Sequence, residues 1–203
     1  MMDMTTGIEW EIADFRPMWR QETFRSNNQV QVRDLGPMLW HTSYQSGPMP
    51  KDEAEAFEAK MMALRGSLGT FTGHPAQRPQ PARYRSGGLG SATIHSVRSD
   101  RGALRITGLP EGLDLTEGDH VSIETDAGGF EFVRLTKGGP VSSTGLSAWI
   151  ECSPALRVSV KVGQTAKLKN PPMELRLDAG GVTLTRVSGL LYVVGFDATQ
   201  VIR

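Results

Sequence analysis

Covalent cross-links are the first thing that this chain lacks. Cys152 is the only cysteine among its 203 residues, so no intramolecular disulfide can form. The fold must therefore be held by a packed core, and it suits a reducing compartment. Cys152 lies in WIECSPAL, which reads as the end of a strand, and no nearby pattern supplies a base. We predict a small buried side chain there rather than a catalytic thiol.

An excess of charge of either sign is also missing. Lys and Arg together number 22, Asp and Glu together number 22, and the formal net charge is zero. A chain of this kind has no general positive field that would attract a nucleic-acid backbone or an anionic membrane. We therefore predict that the protein does not recognise nucleic-acid sequence.

Long apolar segments are absent as well. The longest run, GLLYVVGF at 189–196, is far shorter than the roughly 20 residues that a membrane helix needs. The first residues, MMDMTTGIEW, show neither the basic region nor the apolar segment of a secretory signal. We expect no membrane insertion, and synthesis in the cytoplasm.

Motifs that carry chemistry are not found. The sequence contains no P-loop, no HExxH, no pair of CxxC motifs and no GxSxG elbow. The glycines of GGLGSA at 87–92 lack the Lys-Ser/Thr pair of a phosphate-binding loop, and we interpret them as a hinge. We predict no catalytic residues, no metal ligands and no cofactor.

Histidines and carboxylates are scattered or placed in turns. We expect the four histidines to be structural or surface residues. An acidic cluster lies beside turn glycines, where carboxylates are simply solvated, although paired carboxylates can also serve as general acids and bases or bind calcium. The residues concerned are His41, His74, His95 and His120, and Glu111, Asp114, Glu117, Asp119, Glu124 and Asp126.

Alternating sequence near the N-terminus predicts strands. In TGIEWEIADF the apolar residues Ile8, Trp10 and Ile12 recur at every second position, and Val30 and Val32 do the same in NQVQVRDL. Three of the four tryptophans fall in this part of the chain. We predict that they are core or interface anchors.

A single amphipathic helix is predicted at 50–65. Pro50 suits the first turn, and acidic residues follow at the end where the helix dipole is positive. Gly66 is a natural residue to follow the last turn. The apolar stripe consists of Ala54, Phe57, Met61 and Leu64.

Proline and glycine dominate the segment that follows the helix. HPAQRPQPARY should be extended, and Arg78, Arg83 and Arg85 make it locally basic. We predict a linker or arm at 76–90. Two interpretations stay open, a solvated connector or a strap that lies along a neighbouring subunit.

The remainder of the chain reads as an all-β module at 91–178. Short alternating segments recur about every ten residues, and DAGG between HVSIET and FEFVRLT is a hairpin signal. Two more strands in 181–203 can rejoin the N-terminal sheet. We therefore predict a mainly β fold. A β-sandwich-like domain with one helix is formed by 1–75 and 179–203, and 91–178 forms a second β-barrel or sandwich module.

The order of these features resembles distal tail and baseplate proteins, a class of minor tail protein in long-tailed bacteriophages. The similarity spans roughly residues 36–178. It is carried by PMLWHTSYQ with Trp40, by the acidic helix ending in ALRGSLGTF, by the Pro-rich stretch, by LPEGLDLTEGDHVSI, and by SPALRVSVKVGQTAKLKNPPMELRL. None of these motifs carries chemistry, so the resemblance is one of architecture.

The resemblance implies a structural protein of the virion tail, made in the host cytoplasm. Proteins of this class assemble as hexameric rings, in which a belt domain contacts its neighbours, the tail tube and the central hub. A second β domain faces outward and contacts fibres or receptors in some phages. By this analogy the N-terminal sheet and helix are the belt. The expected interface residues are Trp10, Trp19, Met38, Trp40, Arg78, Arg83 and Arg85.

Two other functions are kept as alternatives. A carbohydrate- or receptor-binding module would use Trp149, an isolated aromatic residue in the aromatic-poor β-module, to stack on a sugar. Core packing is the competing interpretation of Trp149. A cell-wall hydrolase would depend on the acidic turn cluster, its only support.

Overall fold

The fold is mainly β, as the sequence predicted. A computed structural model describes residues 3–26, 29–85, 89 and 92–202. The strands in the described residues are β1 (Trp10–Met18), β2 (Gln21–Ser26), β3 (Gln29–Asp34), β4 (Leu39–Ser46), β5 (Met49–Pro50), β6 (Phe71–Gly73), β7 (Thr93–Val97), β8 (Ala103–Thr107), β9 (Asp114–Leu115), β10 (His120–Glu124), β11 (Phe130–Lys137), β12 (Gly139–Pro140), β13 (Ile150–Ser153), β14 (Ala166–Lys167), β15 (Met173–Ser188) and β16 (Leu191–Gln200).

The predicted helix is present as α1 (Lys51–Met62). Asp52 and Glu53 occupy its first turn, where they interact favourably with the helix dipole. The helix ends earlier than predicted because Arg65 and Gly66 both adopt left-handed backbone angles, at φ of 54° and 64°. Leu64 therefore lies beyond the helix and is only half-buried. Among the described residues, no helix has the length and apolar character needed to cross a membrane.

The chain divides into two compact units. One, called here the helical unit, comprises Ile8–Thr70 and Leu175–Val201. The other, the all-β unit, comprises Met1–Gly7, Phe71–Glu174 and Ile202–Arg203. The division into domains made from the sequence stays a prediction, and the hinge predicted at 87–92 lies largely outside the described residues.

An antiparallel sheet in the order β1–β4–β16–β15 forms the body of the helical unit, with β5 also paired to β16. Its buried face carries an aromatic cluster of Trp10, Tyr44, Phe57 and Phe196. The Trp10 ring centroid lies 5.0 Å from that of Tyr44, 5.8 Å from that of Phe57 and 5.6 Å from that of Phe196. Since Phe57 belongs to α1, these ring contacts fasten the helix to the sheet.

Strand β1 differs from its sequence pattern at one point. The pairing register with β4 shifts between Trp10 and Ile12, so the strand contains a bulge. Trp10 faces the core, whereas the side chain of Ile12 is 41% exposed. The alternation that placed Trp10 and Ile12 on one face of the strand is interrupted, because strict alternation fails where an extra residue enters a strand.

The all-β unit contains a sheet in the order β14–β10–β11–β13–β8–β7. The predicted DAGG hairpin is confirmed: β10 and β11 pair antiparallel, and the turn between them has Gly128 at φ +74°. The core includes Leu89, Ala92, Ile94, Leu104, Ile106, Leu109, Leu113, Leu115, Val121, Ile123, Val133, Leu135, Val141, Ile150, Cys152, Leu156, Val160, Ala166 and Leu168.

Replacing Trp40 with Ala should lower the free energy of unfolding by about 3–5 kcal/mol, because its indole is only 2% exposed and leaves a cavity when removed. Trp19→Ala is the matched control. It should change that free energy by less than about 0.5 kcal/mol, since its side chain is 57% exposed. Urea denaturation at low protein concentration measures both values, and equal losses would contradict the assignment of Trp40 to the core.

Candidate interaction surfaces

The hairpin formed by β2 and β3 is the most exposed element of the helical unit. It forms a two-stranded sheet of its own, and all six residues of each strand are exposed. A hydrogen bond of 2.7 Å from the Leu35 amide to the Arg20 carbonyl closes its base. An isolated hairpin is marginally stable in water, so a partner would stabilise it.

Both faces of this hairpin carry apolar side chains. The register pairs Thr23 with Val32 and Arg25 with Val30, which places the two valines on one face and Phe24 on the other. Phe24 is 50% exposed, Val30 65% and Val32 58%. Trp19 and Leu35, at the base, are likewise exposed. Exposed apolar groups at this density are typical of an interface with another protein.

The residues predicted for the interface fall into different environments. Trp10, Met38 and Trp40 are buried within the chain itself, whereas Trp19 is exposed. The interface role of all four stays a prediction, and Trp19 is the member available to a partner without unfolding. Sequence pattern could not separate these residues, because apolar anchors of a core and of an interface have the same composition.

Arg78 holds the predicted arm against the all-β unit. Its guanidinium donates to the buried carboxylate of Asp119, at 3.0 Å from Nε and 2.5 Å from Nη2. The backbone amide of Ala82 donates to the same carboxylate at 2.9 Å, and Thr116 donates through its backbone amide and hydroxyl. Asp119 is therefore the anchor of residues 78–82, because its carboxylate is inaccessible to solvent and satisfied by several donors.

The other two arginines of the arm are more exposed. Arg83 forms an ion pair with Asp114 while its side chain stays 65% accessible, and Arg85 is exposed. A strap along a neighbouring subunit stays a prediction for this segment. Within the chain, the contacts of Arg78 and Arg83 attach it to the all-β unit.

Arg78→Ala should lower the free energy of unfolding by about 2–3 kcal/mol, because it removes the cationic partner of a buried carboxylate. Arg83→Ala should cost less than about 1 kcal/mol, since its ion pair is exposed to water. Chemical denaturation gives both values, and limited proteolysis should show faster cleavage of residues 75–85 in Arg78→Ala alone. Equal effects would mean that the buried contact has no special role.

A groove of about 440 Å³, lined by both polar and apolar side chains, lies on the sheet of the helical unit. At its side, His41 Nε2 lies 3.0 Å from Asp178 Oδ2, and the Thr199 hydroxyl donates to Asp178 Oδ1 at 2.8 Å. Asp178 occupies the bulge where the β15–β16 register shifts. The lining residues are Ser43, Tyr44, Gln45, Asp178, Gly180, Gly181, Thr183, Thr185, Val187, Val193, Gly195, Phe196 and Asp197.

Carboxylates of the predicted acidic cluster take part in structural contacts. Besides Asp119 and Asp114, Asp126 binds Lys161 at 2.8 Å and Glu124 binds Lys167 at 3.3 Å. In the part of the chain that the structure describes, no group of three or more His, Cys, Asp or Glu side chains could hold a metal ion.

Cys152 is buried, and burial together with Glu131 raises the pKa of its thiol to about 12. At neutral pH it is therefore protonated and a poor nucleophile. The four histidines belong to different elements: His41 lies on the sheet of the helical unit, His95 is exposed on β7, His74 lies near Thr5, and His120 is buried on β10.

Trp149 lies on the surface of the all-β unit, with its side chain 43% exposed. The guanidinium carbon of Arg105 is 5.8 Å from the centroid of the Trp149 ring. Arg105 Nε also donates to the Ser147 carbonyl at 3.1 Å, which fixes the guanidinium beside the indole. The role of Trp149 in ligand stacking stays a prediction, and the exposure of Trp149 leaves its ring accessible to a ligand.

Comparison of the chain with protein-family models found no matching family, and comparison with curated proteins found no match. The resemblance to phage tail proteins therefore stays a prediction based on the motifs quoted above.

Acid should destabilise the fold through His120. Burial, followed by the positive charges of Arg134 and Arg78, lowers the pKa of His120 from 6.5 to about 4, although Asp119 opposes this effect. Between pH 6.5 and 4 the unfolded chain binds a proton that the folded chain does not. The free energy of unfolding should therefore fall by up to about 3 kcal/mol as the pH decreases through this window.

Urea denaturation at several pH values between 7 and 4 tests this linkage. His120→Gln should reduce the pH dependence in that window and leave the contribution of His74, whose pKa burial also lowers, whereas His95→Gln, at an exposed position, should leave the pH dependence unchanged. A wild-type stability that is constant over the window would refute the assignment.

Proposed function

We propose that this chain is a structural component of a bacteriophage tail tip, a distal tail protein that forms a ring between the tail tube and the baseplate hub. Besides the sequence motifs, the observation that supports this proposal is the exposure of the β2–β3 hairpin. Its apolar residues on both faces favour burial against another subunit.

The sheet of the helical unit offers further means of assembly. Among the described strands, β1 pairs with β4 alone and so forms one edge of the sheet. An open strand edge presents backbone donors and acceptors that a neighbouring chain can pair with. Head-to-tail contacts of this type produce a closed ring when the rotation between neighbouring subunits equals a full turn divided by the number of subunits.

The proposed role requires neither catalysis nor a cofactor. Its partners are other copies of the chain, in a hexameric ring, together with the tail tube protein and the hub protein. A fibre or receptor contact is assigned to the all-β unit. After assembly, the protein's location is the virion tail.

Light scattering on a size-exclusion column tests the ring directly. We expect a hexamer, or a series of oligomers whose mass rises with protein concentration. Val30→Lys combined with Val32→Lys should reduce the mass towards that of a monomer, because two charges would have to be buried in the interface. Folding should be retained, since both valines are exposed in the single chain.

Val158→Lys combined with Val162→Lys is the matched control. These two valines are 82% and 66% exposed, and they belong to the all-β unit. The control should keep the wild-type mass. A wild-type chain that stays monomeric at high concentration and also fails to bind the tail tube and hub proteins would refute the proposal.

A carbohydrate-binding role for the all-β unit is the second candidate. It is favoured by the exposure of Trp149, because a tryptophan left at the surface of a fold with a complete core offers a flat apolar face to a ligand. This role is compatible with a ring, since the hairpin and Trp149 belong to different units.

A further inference from the structure

Trp149 is held in place by its neighbours in the chain. The Ser147 amide donates to the Ile106 carbonyl at 2.8 Å, and the Ile106 amide donates to the Ser147 hydroxyl at 2.9 Å. The Ala148 amide donates to the Pro140 carbonyl at 2.9 Å. The segment that carries the indole is therefore fixed before any ligand arrives, which lowers the entropic cost of binding.

Arg105 places a positive charge next to the indole of Trp149. Only Nε of its guanidinium is used by the bond to Ser147, and no carboxylate in the described part of the chain lies within 4.0 Å of it. By contrast, Arg98 binds Asp100, and Arg157 binds Glu131. The remaining N–H groups of Arg105 match the two oxygens of a carboxylate.

The residues that the sheet places next to Arg105 and Trp149 include polar side chains. Ser96 lies opposite Arg105 across the β7–β8 pair, and Glu151, two residues after Trp149, contacts Arg98 at 3.8 Å. A protein interface is centred on a wider apolar patch, which these neighbours do not supply. A sugar ring is better matched to the site, because its C–H face packs on one indole while its polar groups meet the polar rim.

We propose that Trp149 and Arg105 form a binding site for a carboxylated saccharide, in which a sugar ring stacks on the indole and its carboxylate pairs with the guanidinium. The proposal rests on the second candidate function and names its ligand class. It does not depend on ring formation.

An array of acidic and neutral oligosaccharides, followed by calorimetry with trigalacturonate and its methyl ester, tests the site. The ester keeps the sugar rings and removes the charge. We expect a dissociation constant on the order of 0.1–1 mM for the acid and about tenfold weaker binding of the ester. Trp149→Ala should abolish both, and Arg105→Gln should bind the acid as weakly as the ester.

Trp19→Ala is the control for a general loss of exposed tryptophan, and it should bind like the wild type. Equal affinity of the wild type for acid and ester would overturn the charge selectivity and leave saccharide binding standing. Absence of saccharide binding on the array and in calorimetry would overturn both the charge selectivity and the saccharide site. The same conclusion would follow if Trp149 were needed for binding to tail proteins and no saccharide bound. Light scattering on the same samples reports separately on the ring.

Discussion

The helical unit depends on the aromatic cluster of Trp10, Tyr44, Phe57 and Phe196. These rings come from β1, β4, α1 and β16, so the cluster joins segments from both ends of the chain. The same contacts fix the two strands, β1 and β4, between which the exposed hairpin is inserted. Because this base is rigid, it can hold the β2–β3 hairpin in position for a partner, although the hairpin by itself is only marginally stable.

The parts of the fold that were predictable are those that local chemistry specifies. The acidic first turn identified α1, and Asp-Ala-Gly-Gly identified the β10–β11 hairpin, because backbone preference and charge act over a few residues. The end of α1 and the bulge at Trp10 were missed. Both involve single residues, Arg65 at the helix end and the extra residue of the bulge in β1, whose conformation is not specified by their identity.

The candidate surfaces were harder to predict because solvent exposure is a tertiary property. Trp19 and Trp40 have equal propensities, yet one is at the surface and the other is in the core. The exposed valines of β3 were recognised as strand residues, but nothing local indicated that both faces of their hairpin would remain open. Pairing of Arg78 with Asp119 joins residues 41 positions apart, which no short motif encodes.

Among the described strands, β16 comes last along the chain, and this has a consequence for synthesis. This strand is hydrogen-bonded to β15, β4 and β5, yet Leu191 follows Ser46 by about 145 residues. At elongation rates of roughly 5–20 residues per second, β4 waits on the order of 7–30 s for its neighbour. During that interval Trp10 and Tyr44 have no Phe196 to cover them, whereas most of the all-β unit has already been made. The nascent helical unit therefore passes through a period in which chaperones or rapid burial elsewhere must protect its future core.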